Sequence, residues 1–303
     1  MLKKILLNNF ILLLILSSIW GSSFLAIKIA VKTINPISIA SFRLIIGTIV
    51  LAFFFYFSNN KLNLSRKILF YIFLTALLGN LIPFILISWS EIYISSSLAG
   101  LLLSTAPLFA LILSHFFTID DKFNTTKLLG ILIGLIGVIL LIGYENILEL
   151  FSGNIYMLLP KLAVIVAALG YVISSIIAYS LKELNPLNLT FITIFIASII
   201  SLPFMFYYES KFFSYPSTES IIAVIYLGIM PTAVAYLLRF YIISKAGPVF
   251  LSYVAYLIPI FSIFWGYTIL NEKIILDYIF ALFFILLGIY IGQIKSNVKK
   301  NLP

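Results

Sequence analysis

Long apolar stretches separated by short polar segments make up most of the 303-residue chain. Ten segments contain no Asp, Glu, Lys or Arg: 5–27, 44–60, 68–90, 92–119, 128–144, 162–181, 184–208, 220–238, 246–271 and 278–294. A helix needs roughly 17–25 mostly apolar residues to cross the hydrocarbon core of a bilayer. Because lipid offers the backbone no hydrogen-bond partner, such stretches are expected to be helical. The pattern predicts an all-α integral membrane protein with ten transmembrane helices.

The second half of this pattern repeats the first. Asn35-Pro36 returns as Asn185-Pro186, and three pairs recur at a spacing of 152 positions: Trp89 with Tyr241, Pro107 with Pro259, and Asp120 with Glu272. Each half holds five stretches, and an odd number makes the second half enter the membrane from the opposite side. Inverted repeats of this kind build the substrate pathway of many carriers. We predict a first repeat at 9–143, a second at 154–294 and a short cytoplasmic tail at 295–303.

The basic residues sort to one side when the amino terminus is placed inside. The cytoplasmic connections then hold Lys3, Lys4, Lys61, Arg66, Lys67, Lys122, Lys127, Lys182, Lys245, Lys295, Lys299 and Lys300, and the external ones hold Lys28, Lys32, Lys211 and Lys273. An excess of Lys and Arg in short loops marks the cytoplasmic side. Both termini are therefore predicted to be cytoplasmic.

Composition narrows the function. Only 10% of the residues are charged, against about 25% in soluble proteins, and the net charge of +9 is explained by the loops, so no nucleic-acid partner is expected. With no Cys and one His, thiol chemistry is excluded and no metal site or catalytic constellation is expected. No phosphate-binding loop is present, so direct use of ATP is not expected. We predict no cofactor and no enzymatic activity.

Motifs along nearly the whole chain resemble those of the EamA family of the drug/metabolite transporter superfamily. They are Trp20-Gly21-Ser22-Ser23-Phe24 with Lys28, Phe42-Arg43-Leu44, Ser95-Ser96-Ser97-Leu98-Ala99-Gly100 through Ala106-Pro107-Leu108-Phe109, Asp120-Asp121-Lys122 with Gly130 and Gly137-Val138, and Tyr256-Leu257-Ile258-Pro259 with Glu272-Lys273. The chain departs from the family at Asp120-Asp121, where Glu is usual, and at Tyr171, where Trp is common. The counterpart of Arg43 in the second half is Thr193.

The resemblance implies a ten-helix carrier in a bacterial cytoplasmic (inner) membrane, working by alternating access as a monomer or homodimer. Its partners would be the lipid bilayer and a small organic metabolite, such as an amino acid or a related compound, with export favoured over import. Two other classes stay open: an integral membrane enzyme acting on a lipid or isoprenoid, and a passive channel. The enzyme needs clustered acids or His at one face, and the channel needs a polar stripe along a pore.

Aromatic and polar side chains on the helices that line the cavity in the resembled family are candidates for substrate binding. They are Trp20, Ser22, Trp89, Tyr171, Tyr236, Tyr253 and Tyr256. Trp20 is favoured because it lies mid-helix, away from the headgroups, and Tyr171 is its approximate counterpart. Interface belts and simple packing are the alternative for such aromatics.

Five ionisable residues lie in or beside the apolar stretches, where charge is costly and marks function. Lys28 and Arg43 are candidates for setting charge preference near the outer half, with headgroup contact or an ion pair as the alternative. Glu91 and His115 are candidate proton carriers, with solvated helix ends as the alternative. Arg239 is expected to extend to the inner headgroups.

Proline and glycine mark candidate bends and close contacts. Pro107 and Pro259 fall inside stretches, where proline frees a backbone carbonyl and bends a helix. The pairs Gly130/Gly134 and Gly288/Gly292 have the four-residue spacing that lets helix backbones approach closely. We expect the prolines to shape moving helices and the glycines to pack helices within the chain.

Overall fold

A computed structural model of the chain describes residues 2–58, 64–119, 122–142, 155–209, 215–270 and 277–294. Within these ranges the chain is helical and contains no strand. The helices are α1 (Leu2–Ala30), α2 (Pro36–Tyr56), α3 (Arg66–Ala76), α4 (Ile82–Tyr93), α5 (Ser96–Leu103), α6 (Ala106–Phe117), α7 (Thr125–Ile142), α8 (Ile155–Ser180), α9 (Pro186–Glu209), α10 (Thr218–Leu227), α11 (Ala235–Ser252), α12 (Val254–Leu270) and α13 (Asp277–Gln293). Asp120-Asp121, Glu272-Lys273, the predicted boundary at 143–154 and the tail 295–303 lie outside the described residues.

Seven helical segments of the described residues are long and apolar enough to cross a bilayer. They are Asn8–Ala30, Pro36–Tyr56, Arg66–Tyr93, Leu98–Phe117, Leu158–Ser180, Pro186–Tyr208 and Thr218–Ser252, and two shorter apolar helices are Thr125–Leu141 and Phe280–Gln293. The prediction of an all-helical membrane protein is therefore confirmed. The inverted arrangement of ten spans, and the side on which the termini lie, stay predictions.

Two π-helical segments interrupt long helices at related places in the two halves. Leu77–Leu81 joins α3 to α4, and Gly228–Val234 joins α10 to α11. Proline contributes to both, since Pro83 lies in the first turn of α4 and Pro231 lies inside the second segment. Single π-helical turns of this kind occur frequently at functional sites.

Three further breaks were not predicted from the apolar pattern. The stretch 92–119 forms two helices, α5 and α6, with Ser104 and Thr105 between them, and Pro107 lies in the first turn of α6. There its missing N–H costs little. Gly247, with φ of 86°, interrupts α11 in a conformation that side chains rarely adopt, and the chain breaks again at Tyr253 before α12. Pro259 lies inside α12.

The two Asn-Pro pairs begin α2 and α9 in the same way. The Asn35 side chain accepts a hydrogen bond from the backbone N–H of Ile37 at 2.9 Å, and the Asn185 side chain accepts one from that of Leu187 at 2.8 Å. An Asn cap followed by Pro at the first helical position is a favourable start for each of the two helices. The sequence repeat thus coincides with a repeat of local structure.

Helices α1 and α8 each pack mainly against the other half of the chain. The first contacts α10, α11 and α12, and the second contacts α3, α4, α5 and α6. Because each of these helices packs against the opposite half, residues of both halves surround one central space.

Glycines allow α7 and α13 to cross in close contact. A Cβ atom at Gly130 would lie 2.5 Å from the Gly288 carbonyl oxygen and 2.5 Å from the Gly292 backbone nitrogen. A Cβ at Gly288 would lie 2.5 Å from the Gly130 carbonyl oxygen and 2.5 Å from the Gly134 backbone nitrogen. The last helices of the two halves are therefore joined by backbone contact.

The second glycine of each pair also makes room for a tyrosine. A Cβ at Gly134 would lie 2.6 Å from the ring of Tyr256, and a Cβ at Gly292 would overlap the Tyr253 hydroxyl oxygen. The Tyr256 hydroxyl also donates to the Ile131 carbonyl at 2.9 Å. Gly134 and Gly292 therefore each pack against a tyrosine ring as well as against the opposite helix.

Candidate substrate-binding site

A central cavity is lined by residues of α1, α2, α4, α5, α6, α8, α11 and α12. It encloses about 820 Å³ of space that no atom occupies, including the part open at its mouth. Its polar lining consists of Trp20, Ser23, Arg43, Tyr171, Ser175, Arg239 and Ser252. The rest of the lining is apolar, and no acidic residue of the described chain belongs to it. An apolar pocket with a few convergent polar groups suits a small organic solute.

Trp20 and Tyr171 of the lining pack with Tyr236, a predicted site residue that is buried and does not itself line the cavity. Trp20 stacks on Tyr171 with ring centroids 6.5 Å apart and meets Tyr236 edge-on at 5.8 Å. The Trp20 indole N–H donates to the Pro231 carbonyl at 3.1 Å, and the Tyr236 hydroxyl donates to the Gly79 carbonyl at 2.6 Å. Each bond ends on a π-helical segment of the opposite half. The rings therefore hold both halves of the chain at the cavity.

Arg43 lies two turns inside α2 and is only 4% exposed. Its Nε donates to the Thr232 hydroxyl at 3.0 Å, and its guanidinium carbon lies 3.6 Å from the centre of the Phe84 ring. Stacking of guanidinium on an aromatic face is favourable when water is excluded. The side chain is thus held in place by neutral partners.

Arg239 is 1% exposed, so the expectation that it extends to the headgroups is wrong. Its Nη2 donates to the Ser174 hydroxyl at 2.6 Å, the Ser175 hydroxyl at 3.0 Å and the Tyr171 carbonyl at 3.2 Å. Its Nη1 is buried and meets no acceptor among the described residues. The second cation of the cavity was therefore missed from the sequence.

The error has a simple origin in the way apolar stretches are counted. An uncharged stretch ends at its first charge, so a charge inside a helix is mistaken for a helix end. The stretch 220–238 stops before Arg239, whereas the helical segment Thr218–Ser252 continues beyond it. The sequence signal that could have placed Arg239 in the cavity was the Ser174-Ser175 pair near Tyr171. These two serines supply the hydroxyls that accept from Arg239.

Several other predicted site residues lie away from this cavity. Tyr253 and Tyr256 are fully buried and pack against each other, with Tyr256 against α7 and Tyr253 against Gly292 of α13. Trp89 meets Tyr93 edge-on. The Trp89 contact lies within α4, whereas Tyr253 and Tyr256 serve packing between helices. Ser22 belongs with them, since its hydroxyl shares a 2.5 Å hydrogen bond with a tyrosine hydroxyl on α10.

Two of the predicted charged residues, Lys28 and Glu91, lie in a separate cluster at the carboxyl end of α4. The Lys28 ammonium donates to the carbonyls of Glu91 at 2.6 Å and Ile94 at 3.2 Å, at the carboxyl end of α4. The Glu91 side chain is buried and accepts a hydrogen bond from the Ser96 hydroxyl at 3.1 Å. A cation at a helix carboxyl terminus is favourable. Lys28 therefore caps this helix end and does not line the cavity.

His115 lies exposed at the end of α6, and its ring is not part of the cavity. Its Nδ1 accepts a hydrogen bond from the Phe123 backbone N–H at 3.4 Å. Among the described residues no group of three His, Asp or Glu side chains could hold a metal ion.

Comparison with known proteins identifies similar membrane transporters. A sequence model of the EamA-like transporter family matches residues 8–143 and again 154–292. An uncharacterized transporter of Archaeoglobus fulgidus is 30% identical over 285 residues, covering 94% of this chain and 98% of the relative. The uncharacterized transporter YoaV of Bacillus subtilis is 22% identical over 283 residues, covering 93% and 95%.

Two further matches extend over most of the chain. The uncharacterized inner membrane transporter YedA of Escherichia coli is 25% identical over 293 residues, covering 92% of this chain and 91% of the relative. A solved crystal structure superposes with a TM-score of 0.75 at 16% identity, covering 94% of this chain and 96% of the other, which shows a shared fold. The chain belongs to the EamA-like transporter family and is a multi-pass membrane protein.

Proposed function

We propose that the protein is a secondary transporter that moves a small organic metabolite across a cytoplasmic (inner) membrane by alternating access. An amino acid or a related compound is an example of such a metabolite, and export is favoured over import. The observation that carries the proposal is the central cavity, because residues of both halves line it and its polar groups converge there. No phosphate-binding loop is present in the sequence, so the driving force is an ion gradient or the gradient of the substrate itself.

The inverted-repeat arrangement that we propose has several supports. The Asn-Pro caps match, a π-helical segment interrupts the third helix of each half, and the family model matches each half separately. In this arrangement Trp20 and Tyr171 stack across the pseudo-symmetry axis. Rocking of one half against the other would expose the cavity to alternate sides.

Transport in reconstituted liposomes tests the function. A carrier gives flux that saturates with substrate concentration, because each molecule must occupy the site, whereas linear flux would indicate a passive channel. Protein-free liposomes are the control. A metabolite screen by thermal shift on the purified protein supplies the substrate, because a ligand of the folded state raises apparent stability.

Truncation of the favoured aromatic tests the site. Trp20→Ala removes the ring that stacks on Tyr171 and the donor to Pro231. We expect saturable transport to fall by about tenfold or more, with expression in the membrane retained. The control is Phe283→Ala, since Phe283 is 60% exposed on α13 and does not line the cavity. Equal transport by Trp20→Ala and wild type would remove Trp20 from the site.

Of the two candidate proton carriers, Glu91 fits coupling better than His115. Its side chain is buried, and its Oε1 meets no donor among the described residues. His115 is exposed. If Glu91 carries a proton, Glu91→Gln uncouples transport from an imposed pH gradient while counterflow exchange of substrate continues. Loss of both, or of neither, would argue against this role.

A further inference from the structure

Two cations share the central cavity, and the described residues offer them only neutral partners. Arg43 contacts the Thr232 hydroxyl and the Phe84 ring, and Arg239 contacts the Ser174 and Ser175 hydroxyls. No carboxylate of the described residues lies within ion-pair distance of either guanidinium. The two arginines come from non-equivalent positions, one on α2 and one on α11.

The same two phenols lie near both guanidinium groups. The guanidinium carbon of Arg239 lies 5.9 Å from the centre of the Tyr171 ring and 5.1 Å from that of the Tyr236 ring, and Arg43 is within electrostatic range of both tyrosines. Phenols are neutral donors and acceptors at physiological pH. They therefore do not neutralise the two cations.

An uncompensated buried charge is costly, and two in one cavity repel each other. Natural proteins pair such charges or give them a ligand. The Nη1 of Arg239 is a buried donor without an acceptor among the described residues. An anionic group in the cavity would accept from this donor and offset the repulsion.

The remaining lining sets the character of the rest of the ligand. Phe24, Ile27, Leu103, Leu251 and Ile258 present apolar surface, and the polar neighbours that are not cationic are hydroxyls and an indole N–H. No acidic side chain of the described residues lines the cavity, so an ammonium group would find no counter-charge. The lining thus favours an apolar body with a negative head over a zwitterion.

We propose that the cavity binds a small amphipathic organic anion, with its carboxylate or sulfonate head at Arg43 and Arg239 and its apolar body against the aromatic and aliphatic wall. The proposal rests on the transport function proposed above, but it replaces the zwitterionic amino acid given there as an example with a related acid that has no cationic group. Arginine suits this role because its planar guanidinium recognises carboxylate through two parallel hydrogen bonds.

The test compares ligands that share a phenyl ring and differ chiefly in the charge of the head. Phenylacetate, phenylmethanesulfonate, phenylacetamide, phenylalanine and phenethylamine are titrated into the purified protein by calorimetry or thermal shift. We expect one or both anions to bind about tenfold or more tightly than the amide, the zwitterion and the amine. Binding that ignores the charge, favours the amine or zwitterion, or is undetectable for both anions up to millimolar concentration would overturn the proposal.

Arginine variants locate the effect. Arg239→Gln and Arg43→Gln should each abolish the preference for the anion over the amide, and Arg239→Lys should retain part of it. The matched control is Arg66→Gln, because Arg66 is exposed at the start of α3 and should leave the preference unchanged. If the Gln variants fold, shown by an intact size-exclusion profile, and keep the preference, the guanidiniums do not bind the head.

Competition in liposomes separates this inference from the transport function. If a metabolite found by the screen shows saturable flux that these anions do not inhibit, the anion site is wrong and the transporter stands. If the anions bind with the expected preference but no flux of any kind is seen, the anion site stands and transport fails.

Discussion

Two side chains from opposite halves satisfy backbone carbonyls inside the π-helical segments. Tyr236 donates to Gly79, and Trp20 donates to Pro231. A buried carbonyl that loses such a donor costs free energy because water cannot replace it there. At the residue scale, these two bonds fix the aromatic wall of the cavity to both halves of the chain.

Removing one hydroxyl tests this role. Tyr236→Phe keeps the ring beside Trp20 but leaves the Gly79 carbonyl without its donor. We expect the free energy of unfolding to fall by about 1–3 kcal/mol, measured by denaturant or thermal unfolding in detergent. Tyr290→Phe is the control, since Tyr290 is 69% exposed. Equal stability of the two variants would show that the bond contributes little.

Gly79 is also required for the position of Arg239. A Cβ atom there would lie 2.5 Å from the Ser174 hydroxyl oxygen and 3.1 Å from Nη1 of Arg239. The small residue therefore leaves room for the arginine and its serine partners. This is a packing constraint that the sequence alone did not indicate.

At the element scale, the crossing of α7 and α13 joins the last helices of the two halves. Gly130 and Gly288 face each other so closely that a methyl group on either would meet backbone atoms of the partner helix. Backbone atoms cannot turn aside as a flexible side chain can. Close approach of helices through small residues is a principal source of stability in lipid, where apolar burial gives little advantage over the acyl chains.

A single methyl group therefore has opposite effects at two glycines. Gly288→Ala should force α7 and α13 apart and lower the free energy of unfolding by about 1–3 kcal/mol. The matched control is Gly100→Ala on α5, where the nearest atom is Cγ of Pro259 at 3.8 Å. Alanine there should leave stability unchanged or raise it by about 0.5–1 kcal/mol. Melting curves of the two variants that coincide would contradict the close crossing.

At the scale of the whole molecule, α1 and α8 each pack against the opposite half, and this packing builds the cavity. The proposed orientation places the start of α3 in the cytoplasm and the start of α10 outside. The chain has no native cysteine, so single cysteines report their side of the membrane without background.

Labelling with a membrane-impermeant thiol reagent tests this orientation. Tyr215→Cys, at a fully exposed site before α10, should be labelled in cells whose cytoplasmic membrane is intact and whose outer layers have been removed. Lys67→Cys, exposed at the start of α3, should be labelled only after the membrane is permeabilised. The opposite labelling pattern would show that the protein has the reverse orientation in the membrane, with the predicted cytoplasmic charges outside.

The apolar periodicity of the sequence determined the all-helical membrane class, because only a helix satisfies its backbone in lipid. Motif resemblance determined the family, and it identified Trp20, Arg43 and Tyr171, which line the cavity. Only the tertiary structure brought in Arg239 and moved Tyr253, Tyr256 and Lys28 away from the cavity. The reason is physical: hydropathy reports how far a segment is from water, whereas the direction of a side chain depends on breaks at π-helical turns and Gly247 and on which helix packs beside it.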